Sequence, residues 1–392
     1  MGIGRRNDGM INIMLKLKKQ IRDIQNNIKS EFSRRFWRHI RRLSAHPFKH
    51  PYEMIHKLHW QRRLANHRAE GCCFLAASPL HYVCFHQIHA LHPEIPIVAD
   101  TFDTVAYLKR LKVPYLRRLN FPKTVILADY PPAKQGRFPA GVKLIQINHG
   151  LGLAKSHYYE APLETPMDLI LVSGALAKSL FNQRSVYNVA DVGFPKLDPL
   201  FNGSLCKETI CRTNGFSASR PIILYAPTWG RFSSLERIIP GLSKLSGEYT
   251  IMVKIHDKTA KIFRRRLGQI SGITLVDDSD STPYMFVADL LISDLSSIVF
   301  EYALLNRPII LSFPEDDDWK RKVTNPQWWR VGLPLTDLER LPEVVKTALG
   351  DEPRIYREFR SQLIAASGIC CDGKAALRAA EAIMNRMKEK EG

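Results

Sequence analysis

The stretch "LLISDLSSIVFEYALLNRPIILSF", residues 290–313, decides the fold. It opens as a short apolar run, breaks at Ser296 and Ser297, continues with helical spacing, and closes on a second apolar run after Pro308. Buried strand, turn, helix and buried strand in that order make one βα unit of a parallel sheet. The two serines fall at the first exposed amides of the helix, where unpaired N–H donors and the helix dipole attract an anion. Glu301 lies one turn on from Ser297, on the same face, placed to accept bonds from ribose hydroxyls. The competing reading is a serine that only caps the helix. A capping box asks for Glu three residues after the cap, and after Ser297 that place is held by Phe300.

Working outward, the same alternation recurs on both sides. "GCCFLAAS", "IPIVADTF", "KTVILADY", "KLIQINHG" and "MDLILVSG" read as strands of a first half that ends near residue 195. Helices begin near Pro79 and near Asp103, read as a cap, and another runs from Ala175 to Gln183. "PIILYAPTW", "YTIMVKIHD", "GITLVDD", "DLLISD" and "RPIILSF" read as strands of a second half, with helical runs near residues 233–246 and 258–268. The Gly- and Pro-bearing segment "DVGFPKLDPLFNGS" is the joint. The fold class is α/β. The expected domains are a basic helical arm over 1–69, a first parallel-sheet domain over 70–195 and a second over 196–392, with the last helix crossing back. Two such domains face a cleft at the carboxyl ends of their strands, so residues just past strand ends carry the chemistry.

Charge is uneven along the chain. Residues 1–70 hold 17 Lys and Arg against five Asp and Glu, which places 12 of the 19 formal positive charges in the arm. Within it Leu17, Ile21, Ile24, Ile28, Phe32, Phe36, Ile40 and Leu43 recur at helical spacing with basic residues between them. This reads as a basic amphipathic helix that docks on an anionic membrane surface, against the alternative of a helix packed on its own protein or paired as a coiled coil. Nucleic acid is not an expected partner, because the charge sits in the arm and not along the sheets. No run of apolar residues is long enough to span a membrane, and the first residues lack a secretory signal pattern, so a cytoplasmic, peripheral protein on the inner face is expected. Seven cysteines without a CxxC spacing read as reduced, mostly buried thiols.

Several residues stand at strand ends. His149 follows "KLIQIN", with Gly150 to turn the backbone, and His256 ends "YTIMVKIHD" beside Lys254 and Lys258. Thr228 ends "LYAPTW" and offers a hydroxyl; Arg231 offers a fork for phosphate; Trp229 is read as core. His81, His86, His89 and His92 read as a solvated helix face rather than a zinc site. The acidic clusters at 277–281 and 315–318 read as surface turns rather than magnesium ligands. No metal and no cofactor is expected.

The ordered set "QINHG", "GFPKLD", "YAPTW", "KIHD" and "ISDLSSIVFEYALLNRPII", over about residues 120–315, resembles the bacterial CDP-glycerol glycerophosphotransferases of teichoic acid and capsule synthesis. Asn148 before His149 and "LGLAK" after Gly150 depart from that family's pattern, as do Lys196 and the displaced Arg231. The resemblance implies a GT-B architecture, two Rossmann-like domains with the nucleotide held mainly by the second. It implies His149 as base for the acceptor hydroxyl, His256 near the phosphates, Ser296 and Ser297 on the diphosphate and Glu301 toward the ribose. Thr228, Arg231 and Lys254 complete the expected donor-binding set. The implied reaction moves glycerol phosphate, or a related alditol phosphate, from CDP-glycerol to a lipid-linked or polysaccharide acceptor and releases CMP. A glycosyltransferase or epimerase using a UDP- or CMP-sugar, and a non-enzymatic basic binding protein, are the alternatives.

Overall fold

The computed structural model describes residues 71–117, 122–128, 138, 141–154, 167–182, 188–257, 259 and 261–388. The expected basic arm lies outside them, as does Lys258. A first six-stranded sheet comprises β1 (Cys72–Ala76), β2 (Ile97–Ala99), β3 (Thr124–Leu127), β4 (Lys143–Ile147), β5 (Leu169–Val172) and β6 (Val189–Asp191), in the order β2-β1-β3-β4-β5-β6. A second comprises β7 (Ile222–Tyr225), β8 (Thr250–Val253), β9 (Ile273–Leu275), β10 (Leu290–Ser293), β11 (Ile309–Leu311) and β12 (Leu333–Pro334), in the order β12-β11-β10-β7-β8-β9. Every strand pair in both is parallel. Counted from β7, the second order is that of the Rossmann fold, and its strand sequence reverses between β7 and β10. The GT-B-like pair of parallel sheets expected from the sequence is therefore present.

Parallel strands covered by helices on both faces are apolar at most positions, which is why they stand out in the sequence. Along β7, Ile222 and Leu224 join one core while Ile223 and Tyr225 join the opposite one. The first of these cores is continuous with Phe74, Ile126 and Ile145 of the other sheet, so one apolar layer runs through both halves. The outer faces carry separate cores, one around Leu235, Ile238 and Leu242 and one around Val125, Ile170 and Phe181.

The helix Pro79–Leu91 starts where Ser78 accepts the His81 amide N–H and Pro79 takes the first turn. The helix Phe102–Arg110 is capped by Thr101, which accepts the Thr104 N–H at 3.2 Å; Asp103, read as the cap, sits inside the first turn. Thr101 wins because its extended backbone (φ −119°) aims the hydroxyl at the helix's open amides.

The joint does more than connect. Gly193 has φ +84°, and a Cβ there would lie 2.9 Å from that of Ala375. Asp198, buried in the same segment, accepts the N–H groups of Ala375 and Ala376 at 2.9 and 2.7 Å, capping the C-terminal helix Ala375–Lys388. That helix packs on Pro79–Leu91, and its Arg386 reaches Asp168 of the first half at 3.1 Å. Asp198→Ala removes both capping bonds and is expected to cost about 1–2 kcal/mol, read as a lower denaturant midpoint. An unchanged midpoint would contradict the cap assignment.

A second brace lies behind the last strands. Arg360, fully buried, donates two bonds to Glu352 (2.7 and 2.5 Å), one to the Val331 carbonyl (2.9 Å) and one to Asn306 Oδ1 (3.1 Å). A paired charge with its donors engaged is the form in which an ion is tolerated inside a protein. None of the seven cysteines forms a disulfide; four are buried, two exposed and Cys371 lies between.

Candidate active site

The switch point between β7 and β10 gathers the residues that follow those strands. Thr228 comes three residues past β7, Asp294 directly follows β10, and Ser296 and Ser297 come next. Ser296 donates its N–H to the Asp294 carbonyl at 2.8 Å. Ser297 stands at the cap position of the helix Ile298–Ala303, and its hydroxyl makes no capping bond. This helix is shorter than the sequence suggests: residues 304–306 continue as turns to Asn306, which has φ +50°. Six residues sum to a small dipole, so any anion there is met by individual N–H and hydroxyl groups rather than by a long helix field.

Asp294 is the organising residue that the sequence reading missed. Its carboxylate is fully buried; Oδ1 accepts the Thr228 N–H at 2.7 Å, and Oδ2 accepts the Ser234 N–H at 2.7 Å and the Ser234 hydroxyl at 2.8 Å. Burial pushes its pKa up to about 6, opposed by those bonds. The loop Thr228–Ser234 is thus held at both ends by one carboxylate. Only its place at the end of an apolar strand marked Asp294 in the sequence.

On the neighbouring strand β8, Lys254 and His256 follow in turn, both half-buried. Lys254 donates its backbone N–H to Tyr225 at 2.9 Å. Burial, together with the charge of Lys196, depresses its ammonium pKa, while Asp257, Asp280 and Asp278 act the other way. The His256 ring lies 5.9 Å from the Trp229 ring, with the planes at 43°. Trp229, read as core, is 42% exposed, because it sits on the loop beyond the sheet, where the strand's burial pattern no longer applies.

Glu301 is buried and its Oε2 lies 2.6 Å from Lys196 Nζ. Burial disfavours the Lys196 ammonium, but Glu301 and Asp280 outweigh it and raise its pKa above the ordinary lysine value. Lys196 belongs to the joint segment, so this pair ties the joint to the serine-bearing helix. Arg231 is turned outward, donating to Asp318 at 3.0 Å and stacking over Phe232 at 4.4 Å. An exposed pair of this kind is worth roughly 0–1 kcal/mol, little hindrance to exchanging Asp318 for a phosphate.

His149 stands two residues past β4 on the other sheet, half-buried. Its loop is pinned on both sides: Asn148 donates its N–H to Leu171 at 3.2 Å, and Ser173 donates its hydroxyl to the Leu151 carbonyl at 2.8 Å. Among the described residues, a Cβ at Gly150 would meet no atom within 4 Å.

The acidic segment 277–281 is not a free surface turn. Asp278 Oδ1 accepts the Tyr107 hydroxyl at 3.0 Å, and the Asp277 carbonyl accepts from Arg110 at 3.0 Å. Elements beyond β2 and β9 therefore meet across the two halves. The histidines of the first helix are also engaged rather than solvated: His81 is buried and accepts the Ala77 N–H at 3.2 Å, and His89 packs edge-on against Phe74 at 5.8 Å. Among the described residues no group of three or more His, Cys, Asp or Glu is arranged to hold a metal, and no helix is long and apolar enough to cross a membrane.

The family model described as CDP-Glycerol:Poly(glycerophosphate) glycerophosphotransferase matches residues 137–361. The teichoic acid poly(glycerol phosphate) polymerase of Bacillus subtilis (strain 168) is 28% identical over 174 residues, which cover 40% of this chain and 23% of that protein. The teichoic acid glycerol-phosphate primase of Bacillus spizizenii (strain W23) is 37% identical over 123 residues, 30% of this chain and 32% of the relative's length. Of solved structures, the wall teichoic acid polymerase TagF superposes with a TM-score of 0.62 at 14% identity, covering 92% of this chain and 98% of that one. The UDP-GlcNAc 2-epimerase of Methanocaldococcus jannaschii superposes at 0.55 and 12% identity, over 80% and 99%. At such identities the likeness is one of fold.

Proposed function

Because this chain belongs to the CDP-glycerol:poly(glycerophosphate) glycerophosphotransferase family, we propose that it transfers glycerol phosphate, or a related alditol phosphate, from a CDP-alditol to a hydroxyl of a lipid-linked or polysaccharide acceptor. The observation that carries the reading is the convergence of Thr228, Asp294, Ser296 and Ser297 at the Rossmann switch point, the place where such sheets hold nucleotides.

The acceptor oxygen attacks the β-phosphorus of the donor, forming a new P–O bond as the bond to the bridging oxygen breaks. CMP leaves with that oxygen, and the hydroxyl proton passes to His149. Phosphoryl transfer of this type asks mainly for alignment and for neutralisation of developing charge. Lys254, His256, the Thr228 hydroxyl and the Ser296 and Ser297 hydroxyls supply the latter around the diphosphate. Arg231 joins them on releasing Asp318. Glu301, oriented by Lys196, accepts from the ribose.

The arm over residues 1–69 supports placement on the cytoplasmic face of a membrane, since each basic residue near an anionic surface contributes about 1 kcal/mol. That location suits a lipid-linked acceptor in teichoic acid or capsular polymer synthesis. The fold shared with UDP-GlcNAc 2-epimerases supports a second reading, a UDP-sugar donor.

Incubation with CDP-glycerol, CDP-ribitol or UDP-N-acetylglucosamine and a lipid-linked acceptor, with the released nucleotide identified by mass, separates the two. CMP release from a CDP-alditol, dependent on acceptor, is the expected result. Turnover of the UDP-sugar alone would end this proposal.

A further inference from the structure

We propose that Asp294 is a positioning residue whose ionised carboxylate shapes the Thr228–Ser234 loop for the donor, so that protonating it loosens the loop and weakens donor binding without unfolding the protein. This deepens the function proposed above and, for its donor half, rests on it.

The geometry is specific. Thr228 follows β7 and Asp294 follows β10, so the carboxylate bridges the switch point itself. Its three bonds come from the two ends of a seven-residue loop, Thr228 N–H at one and Ser234 N–H and Oγ–H at the other. Between those anchors the loop carries Trp229, Gly230 at φ +76° and the exposed Arg231. All three bonds point into the carboxylate, which suits an acceptor-only ionised group. A protonated carboxyl has a hydrogen on one oxygen: on Oδ1 it faces the Thr228 N–H, on Oδ2 it is accommodated only if the Ser234 hydroxyl reverses to accept it, and either way the anchors lose their ionised acceptor.

The groups facing Asp294 from its neighbours are few. From β7 comes Tyr225, whose hydroxyl lies 3.0 Å from Ser234 Oγ and whose pKa burial raises well above the ordinary value. From the helix Leu235–Leu245 comes Arg237, whose guanidinium donates to Ser312 Oγ at 3.2 Å and the Phe313 carbonyl at 3.0 Å. Burial keeps the Tyr225 hydroxyl protonated near neutral pH. Burial brings the Asp294 carboxyl up to about 6, inside the range a cell or a buffer can reach. His256, beside Trp229, is a second ionisable side chain proposed to meet the same ligand. A pH profile of the wild type alone therefore does not assign the effect.

The sign separates this device from ordinary acid unfolding. A carboxyl whose folded pKa lies above its unfolded value favours folding more as pH falls from about 6 toward the ordinary Asp range. Asp294 thus adds stability over the same interval in which it is expected to lose donor affinity.

The test compares wild type with Asp294→Asn from about pH 5 to about pH 8, reading CDP-glycerol affinity by calorimetry and amide hydrogen exchange at Thr228 and Ser234. An asparagine in either orientation turns its NH₂ toward one of the N–H donors, so one anchor is lost while size is kept. The variant is expected to bind donor roughly ten- to a hundredfold more weakly at neutral pH, with an affinity that falls less than the wild type's between neutrality and about pH 5. Its Thr228 and Ser234 amides should exchange faster, while those of β7 and β10 keep their protection. In the wild type the same two amides should lose protection as pH falls, a reading that needs no variant to fold. Donor binding by Asp294→Asn equal to wild type, or parallel pH profiles of the two proteins, would overturn the proposal. If the wild type binds no CDP-glycerol at any pH, the proposed function fails, whereas the exchange arm still decides whether Asp294 holds the loop.

Discussion

Replacing His149 by Ala is expected to lower turnover by about 10² to 10⁴ while CDP-glycerol binds as in the wild type. The split follows from position. His149 stands past β4 on the first sheet, whereas the seven other expected site residues lie on the second. Its loop is also fixed by backbone and Ser173 bonds that do not involve the imidazole, and those supports remain when the ring is removed. A base that takes the acceptor proton acts on the chemical step, and its loss shows in kcat with little change in donor Kd. Single-turnover rates and donor calorimetry on the same preparation measure both. Turnover close to wild type would remove His149 from the mechanism, and a large loss of donor affinity would move it to the donor side.

Glu301→Ala carries the second large effect, this time on two observables. The change leaves Lys196 buried without its carboxylate, and breaking a buried pair from one side costs about 3–5 kcal/mol. A denaturant midpoint should fall accordingly, and donor binding with it. The informative comparison is the double variant Lys196→Met with Glu301→Leu, which replaces both charges by apolar groups of similar size and is expected to recover most of the stability. If Glu301 also accepts from the ribose, donor affinity stays low in the double variant. Recovery of affinity along with stability would reduce Glu301 to a strut between the joint and the helix Ile298–Ala303.

Much of this was legible in the sequence for a physical reason. Strands β1 to β5, β7, β8, β10 and β11 are covered on both faces or nearly so, and burial on two faces writes a nearly continuous apolar run; β9, partly buried at all three residues, still shows by the apolar Ile273 and Leu275. β6 and β12 left no such mark: Val189–Asp191 is partly exposed throughout, and Leu333–Pro334 is two residues long with Pro334 exposed. Strand ends were equally visible, and so were His149, Thr228, Lys254, His256, Ser296 and Ser297 as candidates.

What escaped were roles set by distant partners. Asp294 takes its meaning from Thr228 and Ser234, 66 and 60 residues away. The acidic segment at 277–281 reads as a solvated turn until Tyr107, 171 residues earlier, is found donating to Asp278. Glu301 looks like a cleft residue by helix spacing alone; its bond to Lys196 spans 105 residues. Local pattern reports burial and periodicity, whereas the partner of a buried charge is decided by which strands the topology makes neighbours.

The central claim is that the β7–β10 switch point receives the donor's diphosphate. A crystal structure with CDP-glycerol bound tests it most directly. The diphosphate oxygens should lie within hydrogen-bond distance of Ser296, Ser297 and the Thr228 hydroxyl, with the cytidine ribose toward Glu301. A nucleotide seated on the first sheet, or at the second with its phosphates turned away from both serines, would contradict it.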